Sequence, residues 1–230
     1  MGGGMFTRIA IYHVPAGDLG AFGARWLGWD IAQGHVSAQT GELYPAQAEV
    51  TARPRRYGLH ATIKPPFRLA GRASFAALSQ AMEKLCAQLE PVTLSGLEIA
   101  RMGRFLALLP KGGVDGLNAL AARVVVDLDE FRAPLSAAEL DRRRKGRLSP
   151  SKASNLLRWG YPHVMQDFRF HITLTGPLDD ETAGRVYTSL RSHLSELVSG
   201  PYPVDSLSLV GEDDQGHFHE IERYPLASVP

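Results

Sequence analysis

Two short segments carry residues able to move protons at neutral pH: His60-Ala61-Thr62 in YGLHATIK and His171-Ile172-Thr173 in FRFHITLT. In an extended strand, residues i and i+2 point to the same face. Each histidine therefore lies beside its threonine, and the apolar residue between them turns away. Around the first motif Gly58, His60, Thr62 and Lys64 share one face, against Tyr57, Leu59, Ala61 and Ile63. Around the second, Arg169, His171, Thr173 and Thr175 oppose Phe168, Phe170, Ile172 and Leu174. Two half-buried strands with the same reactive pair on their polar faces predict one site built from two related halves.

Imidazole is the side chain that titrates nearest neutrality, so two histidines facing one cleft suit acid–base work on a phosphodiester. One removes a proton from water or a hydroxyl; the other protonates the departing oxygen. The scheme needs no metal and no cofactor. Thr62 and Thr173 can donate to non-bridging phosphate oxygens, and Lys64 adds positive charge from the same face. Arg169 either adds to that charge or sits at the exposed end of its strand. Tyr12 is either a phenol aimed at phosphate or a packed strand aromatic. Arg56 is an anion-ligand candidate, whereas alternation puts its neighbour Tyr57 in the core. Tyr161 and His163, in GYPH, either reach the mouth of the cleft or stay outside it. His217 and His219 have strand spacing suited to a metal pair, but no cysteines or second acidic pair complete a site, so they read as exposed strand histidines. Binding without catalysis also accounts for a duplicated motif, although binding alone has no need for a matched acid and base.

The elements that position these residues follow from periodicity. Residues 8–14 read as a strand and 18–27 as a helix with Asp18 as N-cap. Residues 30–56 lack clear periodicity and read as a long loop. The first motif strand, 57–64, is expected to stop at Pro65-Pro66, because proline supplies no amide donor. A helix over 74–88 carries Phe75, Leu78, Met82, Leu85 and Leu89 on one stripe. Strands near 92–100 and 104–109 are joined at Met102-Gly103, and 114–131 forms another helix. A charged helical insert, about 132–163, has a capping box at Ser136-Ala137-Ala138-Glu139, a second start at Ser149-Pro150 and a stop at RWGYP. The second motif strand, 168–175, precedes a helix over 179–197 and closing strands at 204–211 and 217–224. This approximate duplication predicts an α+β protein in which residues 5–230 form a single bilobal domain: two pseudo-symmetric lobes, with antiparallel sheets around the motif strands, flank a central cleft, and helices lie outside.

Composition narrows the setting. The chain has 230 residues, 44% hydrophobic and 21% charged, enough to bury a substantial core. A net charge of +1 argues against a main task of neutralising a long phosphate backbone. Arg53, Arg55 and Arg56 lead into the first motif, whereas the basic run over 142–147 reads as a solvated helix face. No run approaches the roughly 18 apolar residues of a membrane span, and no secretory pattern opens the chain, so a cytoplasmic location is expected. Met1 to Gly4 lie ahead of the patterned sequence. The lone Cys86 excludes an internal disulfide framework and reads as the inner face of a helix, without a catalytic role. Trp26 and Trp29 are expected to pack in the core.

With these residues in view, the chain resembles the two-histidine (2H) phosphoesterase superfamily, whose signature is one His-x-Thr/Ser motif in each lobe. The nearer resemblance is to a bacterial branch associated with phosphonate-utilisation operons. It is carried by IYHVP, RYGLHATIKPPFRL, FLALLP, FRAPLSAAEL, LLRWGYPHV and FRFHITLTGPL, which extend across most of the chain. The resemblance implies a bilobal fold, a metal-free mechanism, and His60, Thr62, His171 and Thr173 in the site. It further implies a small phosphorylated substrate, such as a ribose 1,2-cyclic phosphate. A 2′,3′-cyclic nucleotide or an RNA end is the same-chemistry alternative, and a non-catalytic nucleotide or phospho-sugar binding protein the alternative of another class. No membrane and no stable protein partner are expected. The insert departs from the minimal two-lobe plan and is expected to restrict access to small substrates.

Overall fold

The computed structural model describes residues 6–39, 46–144 and 147–227; the reading of Met1 to Gly4 falls outside them. The elements run β1 (Arg8–His13), α1 (Gly17–Leu27), β2 (Trp29–Asp30), β3 (His35–Val36), α2 (Gln47–Val50), α3 (Ala52–Arg55), β4 (Ala61–Phe67), α4 (Phe75–Cys86), β5 (Val92–Leu94), β6 (Gly96–Met102) and β7 (Phe105–Lys111). There follow α5 (Asp115–Asp127), α6 (Ala137–Arg144), α7 (Pro150–Trp159), β8 (Ile172–Thr173), α8 (Asp180–Val198), β9 (Tyr202–Val204), β10 (Ser206–Glu212) and β11 (Phe218–Pro225).

The fold is α+β around a seven-stranded sheet in the order β11-β10-β1-β4-β8-β7-β6, with every pairing antiparallel. Four strands surround the first motif and three the second. The two groups meet at β4 and β8, where Ala61 faces Ile172. The hairpins are exchanged between the halves of the chain. The β6–β7 pair follows the first motif but joins the second at β8, whereas β10–β11 follows the second motif and joins β1 beside the first.

Strand alternation separates two environments. Ile9, Ile11, Ala61, Ile63, Leu106, Leu108, Ile172, Leu207 and Leu209 enter one large core with buried residues of α1, α4, α5 and α8. Ala10, Tyr12, Val210 and Phe218 point the other way, into a smaller cluster with Trp29 and Ile31. Trp26 and Trp29 both pack in the core, and their indole N–H groups donate to the Leu174 and Phe218 carbonyls. Cys86 is also buried, and that burial pushes its thiol up to about 12.

Several expectations are corrected. β4 does not stop at the prolines but runs to Phe67, because register shifts opposite Ile9–Tyr12 bulge the strand, a setting that tolerates a missing amide donor. β8 spans two residues rather than eight. The segment read as a long loop holds β2, β3, α2 and α3, with residues 40–45 of it outside the described set. Ala16 occupies the N-cap of α1, and Asp18 lies in its first turn.

The insert is anchored by specific contacts. Its first residues pair with the segment after β4, where Ala70 N donates to Phe131 O and Ala133 N to Arg68 O. Ser136 and Glu139 form the capping box of α6, and Arg68 grips Glu139 with two bonds of 2.6 and 2.8 Å. Ser149 caps α7, which ends at Gly160 in the left-handed region. Buried Asn155 donates to Val164 O, tying α7 to the segment that leads back to β8.

Candidate active site

A cavity of about 430 Å3 is lined by His60, Thr62, His171 and Thr173. Register explains their convergence. Ala61 and Ile172 are the central residues of the two motifs and face each other in antiparallel strands. Alternation then sets His60 next to Thr173 and Thr62 next to His171, all on the sheet face away from the main core.

Both histidines are oriented by the same device. His60 Nδ1 lies 3.0 Å from Gly58 O, and His171 Nδ1 lies 2.8 Å from Arg169 O. A carbonyl can only accept, so each Nδ1 carries the proton, and in the neutral ring the lone pair is on Nε2. Thr62 Oγ1 donates to His60 Nε2 across 3.1 Å. Gly58 holds φ +65°, which favours glycine, and a Cβ there would stand 2.6 Å from Ile31 Cβ. This turn presents the Gly58 carbonyl to His60. Burial pushes His60 down to about 4, outweighing the stabilising Gly58 carbonyl, and His171 adds a smaller lowering.

Aromatic rings frame the pair. Tyr12, opposite Thr62 in the register, stacks on His60 at 3.8 Å between centroids and 19° between planes. Burial raises its phenol well above the ordinary value, so it remains a neutral donor. Phe105 lies 6.0 Å from His171. Tyr57, expected in the core, packs on Phe218 at 5.2 Å and also lines the cavity.

Other candidates separate. Tyr161 lines the cavity, as does Tyr12, whereas Arg56, Arg169 and Lys64 do not. Arg56 is exposed beside the β10–β11 hairpin, where its carbonyl accepts from Phe218 N. Arg169 points its side chain to solvent and serves His171 through its carbonyl. Lys64 is the clearest correction. The register shift between Ile11 and Tyr12 sends it to the helix-covered face, where Nζ donates to Val125 O at 3.0 Å and Asp129 Oδ1 at 3.4 Å. Burial pushes it down to about 8.

Three arginines enter the cavity instead: Arg8, Arg53 and Arg143. Arg8 is neutralised by Glu212 through two bonds of 2.5 Å. Arg53 comes from α3, held near the second motif by Gly176 N donating to Val50 O. Arg143 belongs to the basic run read as a solvated face; it is half-buried and donates to Gly160 O. Arg53 and its neighbours were conspicuous as a basic lead-in to the first motif, but nothing in the sequence separates Arg143 from the flanking Arg142 and Arg144.

Outside the cavity, His163 is exposed. His217 and His219 are half-buried rather than exposed: His217 stacks on Trp29 at 4.5 Å, and His219 pairs with Asp213 at 2.8 Å. Among the described residues no group of three or more His, Cys, Asp or Glu side chains is arranged to hold a metal ion. Among the same residues no helix is long and apolar enough to cross a membrane.

Known proteins resemble this chain at two levels. It is 34% identical to the ribose 1,5-bisphosphate phosphokinase PhnN of Janthinobacterium sp. (strain Marseille) over 231 residues, 96% of this chain and 51% of that protein. It is 32% identical to the PhnN of Laribacter hongkongensis (strain HLHK9) over 211 residues, 91% of this chain and 49% of that protein. The chain thus spans about half the length of the curated relatives it matches. Among solved structures, TT0787 of Thermus thermophilus aligns with a TM-score of 0.49 at 14% identity, over 97% of this chain and 100% of that one. E. coli LigT complexed with NADP+ aligns with a TM-score of 0.46 at 14% identity, over 97% and 99%. The family profile described as protein of unknown function (DUF1045) matches residues 62–219, well over half of the sequence, and the chain belongs to that family.

Proposed function

We propose that this chain is a phosphodiesterase that opens a small cyclic phosphodiester by acid–base catalysis between His60 and His171. The observation that carries the reading is the shared orientation of the two imidazoles. Each commits Nδ1–H to the carbonyl two residues earlier, and both rings line one cavity with both motif threonines. Catalysis of this kind requires no metal ion.

Burial favours neutral His60, which suits it to be the base. Its Nε2 takes a proton from water as the water oxygen bonds to phosphorus. The ring P–O bond breaks, and the leaving oxygen receives the Nε2 proton of His171 in its imidazolium form. The product is a phosphomonoester beside a free hydroxyl, and solvent restores the two histidines. Thr173 donates to a non-bridging oxygen, Thr62 turns its hydroxyl from His60 Nε2 to the other and so frees the base, and Arg53 adds positive charge where negative charge accumulates.

The substrate reading is a ribose 1,2-cyclic phosphate. Its support is the relatives' name, which specifies a kinase of ribose 1,5-bisphosphate. Breaking the bond from phosphorus to O2 leaves phosphate on C1, as in that compound. The cavity volume of about 430 Å3 lies toward the small end of ligand sites and suits one sugar. Turnover of ribose 1,2-cyclic phosphate and of 2′,3′-cyclic AMP, each in excess chelator, tests the reading. Preferred opening of the 1,2-ring supports it; preferred opening of the 2′,3′-ring moves the function to nucleotide or RNA-end chemistry. Turnover abolished by chelator contradicts the metal-free step.

A further inference from the structure

Besides Arg53, the cavity is lined by a second arginine that has no carboxylate partner among the described residues, and it comes from the insert. Arg143 on α6 is half-buried and lines the same cavity as the histidines. Its guanidinium donates to Gly160 O and lies 5.7 Å from the centroid of Tyr161, itself a lining residue. Neither partner neutralises it. Glu139, one turn earlier, is committed to Arg68 through both carboxylate oxygens. The other acid near this end of the cavity, Glu212, is held by Arg8 in the same two-point manner. Among the described residues Arg143 forms no salt bridge with a carboxylate.

A partly desolvated guanidinium with one carbonyl and one ring for company is costly unless an anion completes it. Its planar fork matches the oxygens of a phosphate monoester, and a neutral phenol beside it supplies a further donor. Tyr161 has that character, because burial raises its phenol. The capping box, the Arg68–Glu139 grip and the Gly160 stop hold these two side chains together from opposite ends of the insert.

We propose that Arg143 and Tyr161 form a second phosphate subsite in the histidine cavity, so that the substrate is a ribose 1,2-cyclic phosphate carrying a terminal phosphate on C5. The inference rests on the ring-opening reading above and adds the second anion. The relatives' name points to the same chemistry, because ribose 1,5-bisphosphate retains two phosphates. One comes from the opened ring, and the other is the group assigned to Arg143. The insert therefore recognises substrate rather than only narrowing the entrance.

The test compares ribose 1,2-cyclic phosphate with its 5-phosphate in the wild type, R143M, R143K and Y161F. The wild type is expected to favour the 5-phosphorylated ring by about 10²-fold in kcat/KM, the scale of losing one partner of a desolvated charged contact. R143M is expected to bring the two rings within about threefold, with R143K and Y161F between these limits. A wild type without preference, or an R143M that keeps it, overturns the subsite. A general folding defect lowers both rings equally and leaves their ratio intact. If R143M does not fold, the ratios of R143K and Y161F decide in the same way.

Failure to open either ring indicts the ring-opening reading instead. The subsite is then decided by calorimetry with ribose 5-phosphate. Binding weakened at least about tenfold in R143K and Y161F supports it, and equal or absent binding overturns it.

Discussion

Ala61 and Ile172 face each other across β4 and β8, and this apolar pair joins the two strand groups of the sheet. Because each is the middle residue of a His-x-Thr motif, one register contact places four polar side chains on the opposite face. A one-residue slip of either strand would turn that strand's histidine and threonine toward the main core and separate them from the other pair. The chemistry and the seam of the fold are therefore set by the same two residues.

Replacing either His60 or His171 by alanine is expected to lower kcat by about 10²–10⁴-fold while leaving the thermal transition near its wild-type position. Acting as a matched pair, the two are expected to be non-additive, so the double variant loses little more than the worse single one. Steady-state kinetics of the three variants checks this. Full additivity would indicate independent roles.

The pH dependence has a definite sign. With His60 at about 4 in the folded protein, the free base persists far below neutrality. The acid limb of kcat/KM is expected well below the ordinary imidazole value near 6.5. Activity rising as pH falls through that region would instead make His60 the acid.

Stability follows the same groups. Burial also holds His13 at about 4, hydrogen-bonded to Ser206 O and Tyr202 Oη. Both histidines are thus depressed relative to the unfolded chain. The unfolded state binds more protons between about pH 6.5 and 4, so stability is full above this window, falls through it and levels below. Urea denaturation across the range is expected to show that decline, and a flat profile would contradict the buried neutral assignments.

Gly58→Ala is expected to cost about 1–3 kcal/mol from the left-handed backbone, with a further cost from contact with Ile31. It is also expected to reduce turnover, because the carbonyl that orients His60 shifts with the turn. Denaturation and kinetics should move together. A stable variant with wild-type activity would remove the role given to this turn.

Lys64→Met is expected to leave kcat/KM within about threefold, because a side chain on the helix-covered face makes no contact with substrate. Lys64 sits at about 8 when folded, below its ordinary value of 10.5. The unfolded chain therefore holds more protons between these values, and wild-type stability rises relative to the variant as pH climbs through them. A large specific loss of turnover would return Lys64 to the site.

What the sequence discloses about this molecule depends on how local each cause is. The faces of His60 and Thr62, and of His171 and Thr173, follow from strand alternation, and the caps at Ser136 and Ser149 from backbone donors within one turn. Lys64 does not follow, because the bulge that reverses it is a property of pairing with β1. The same bulge carries β4 through Pro65-Pro66. The exchange of hairpins is equally hidden, since element order does not state which motif strand β6–β7 or β10–β11 will join. Arg143 is indistinguishable in sequence from its flanking arginines. Which one meets the cavity is settled when α6 docks through Glu139 and Arg68.

The function proposed for His60 and His171 is the opening of a phosphodiester ring without a metal. Phosphorus NMR of ribose 1,2-cyclic phosphate 5-phosphate with the wild type and the His60→Ala/His171→Ala variant, both in excess chelator, tests it directly. The cyclic resonance is expected to give way to a C1 phosphomonoester signal with the wild type and to persist with the double variant. Equal conversion by both proteins, or no conversion by either, would contradict it.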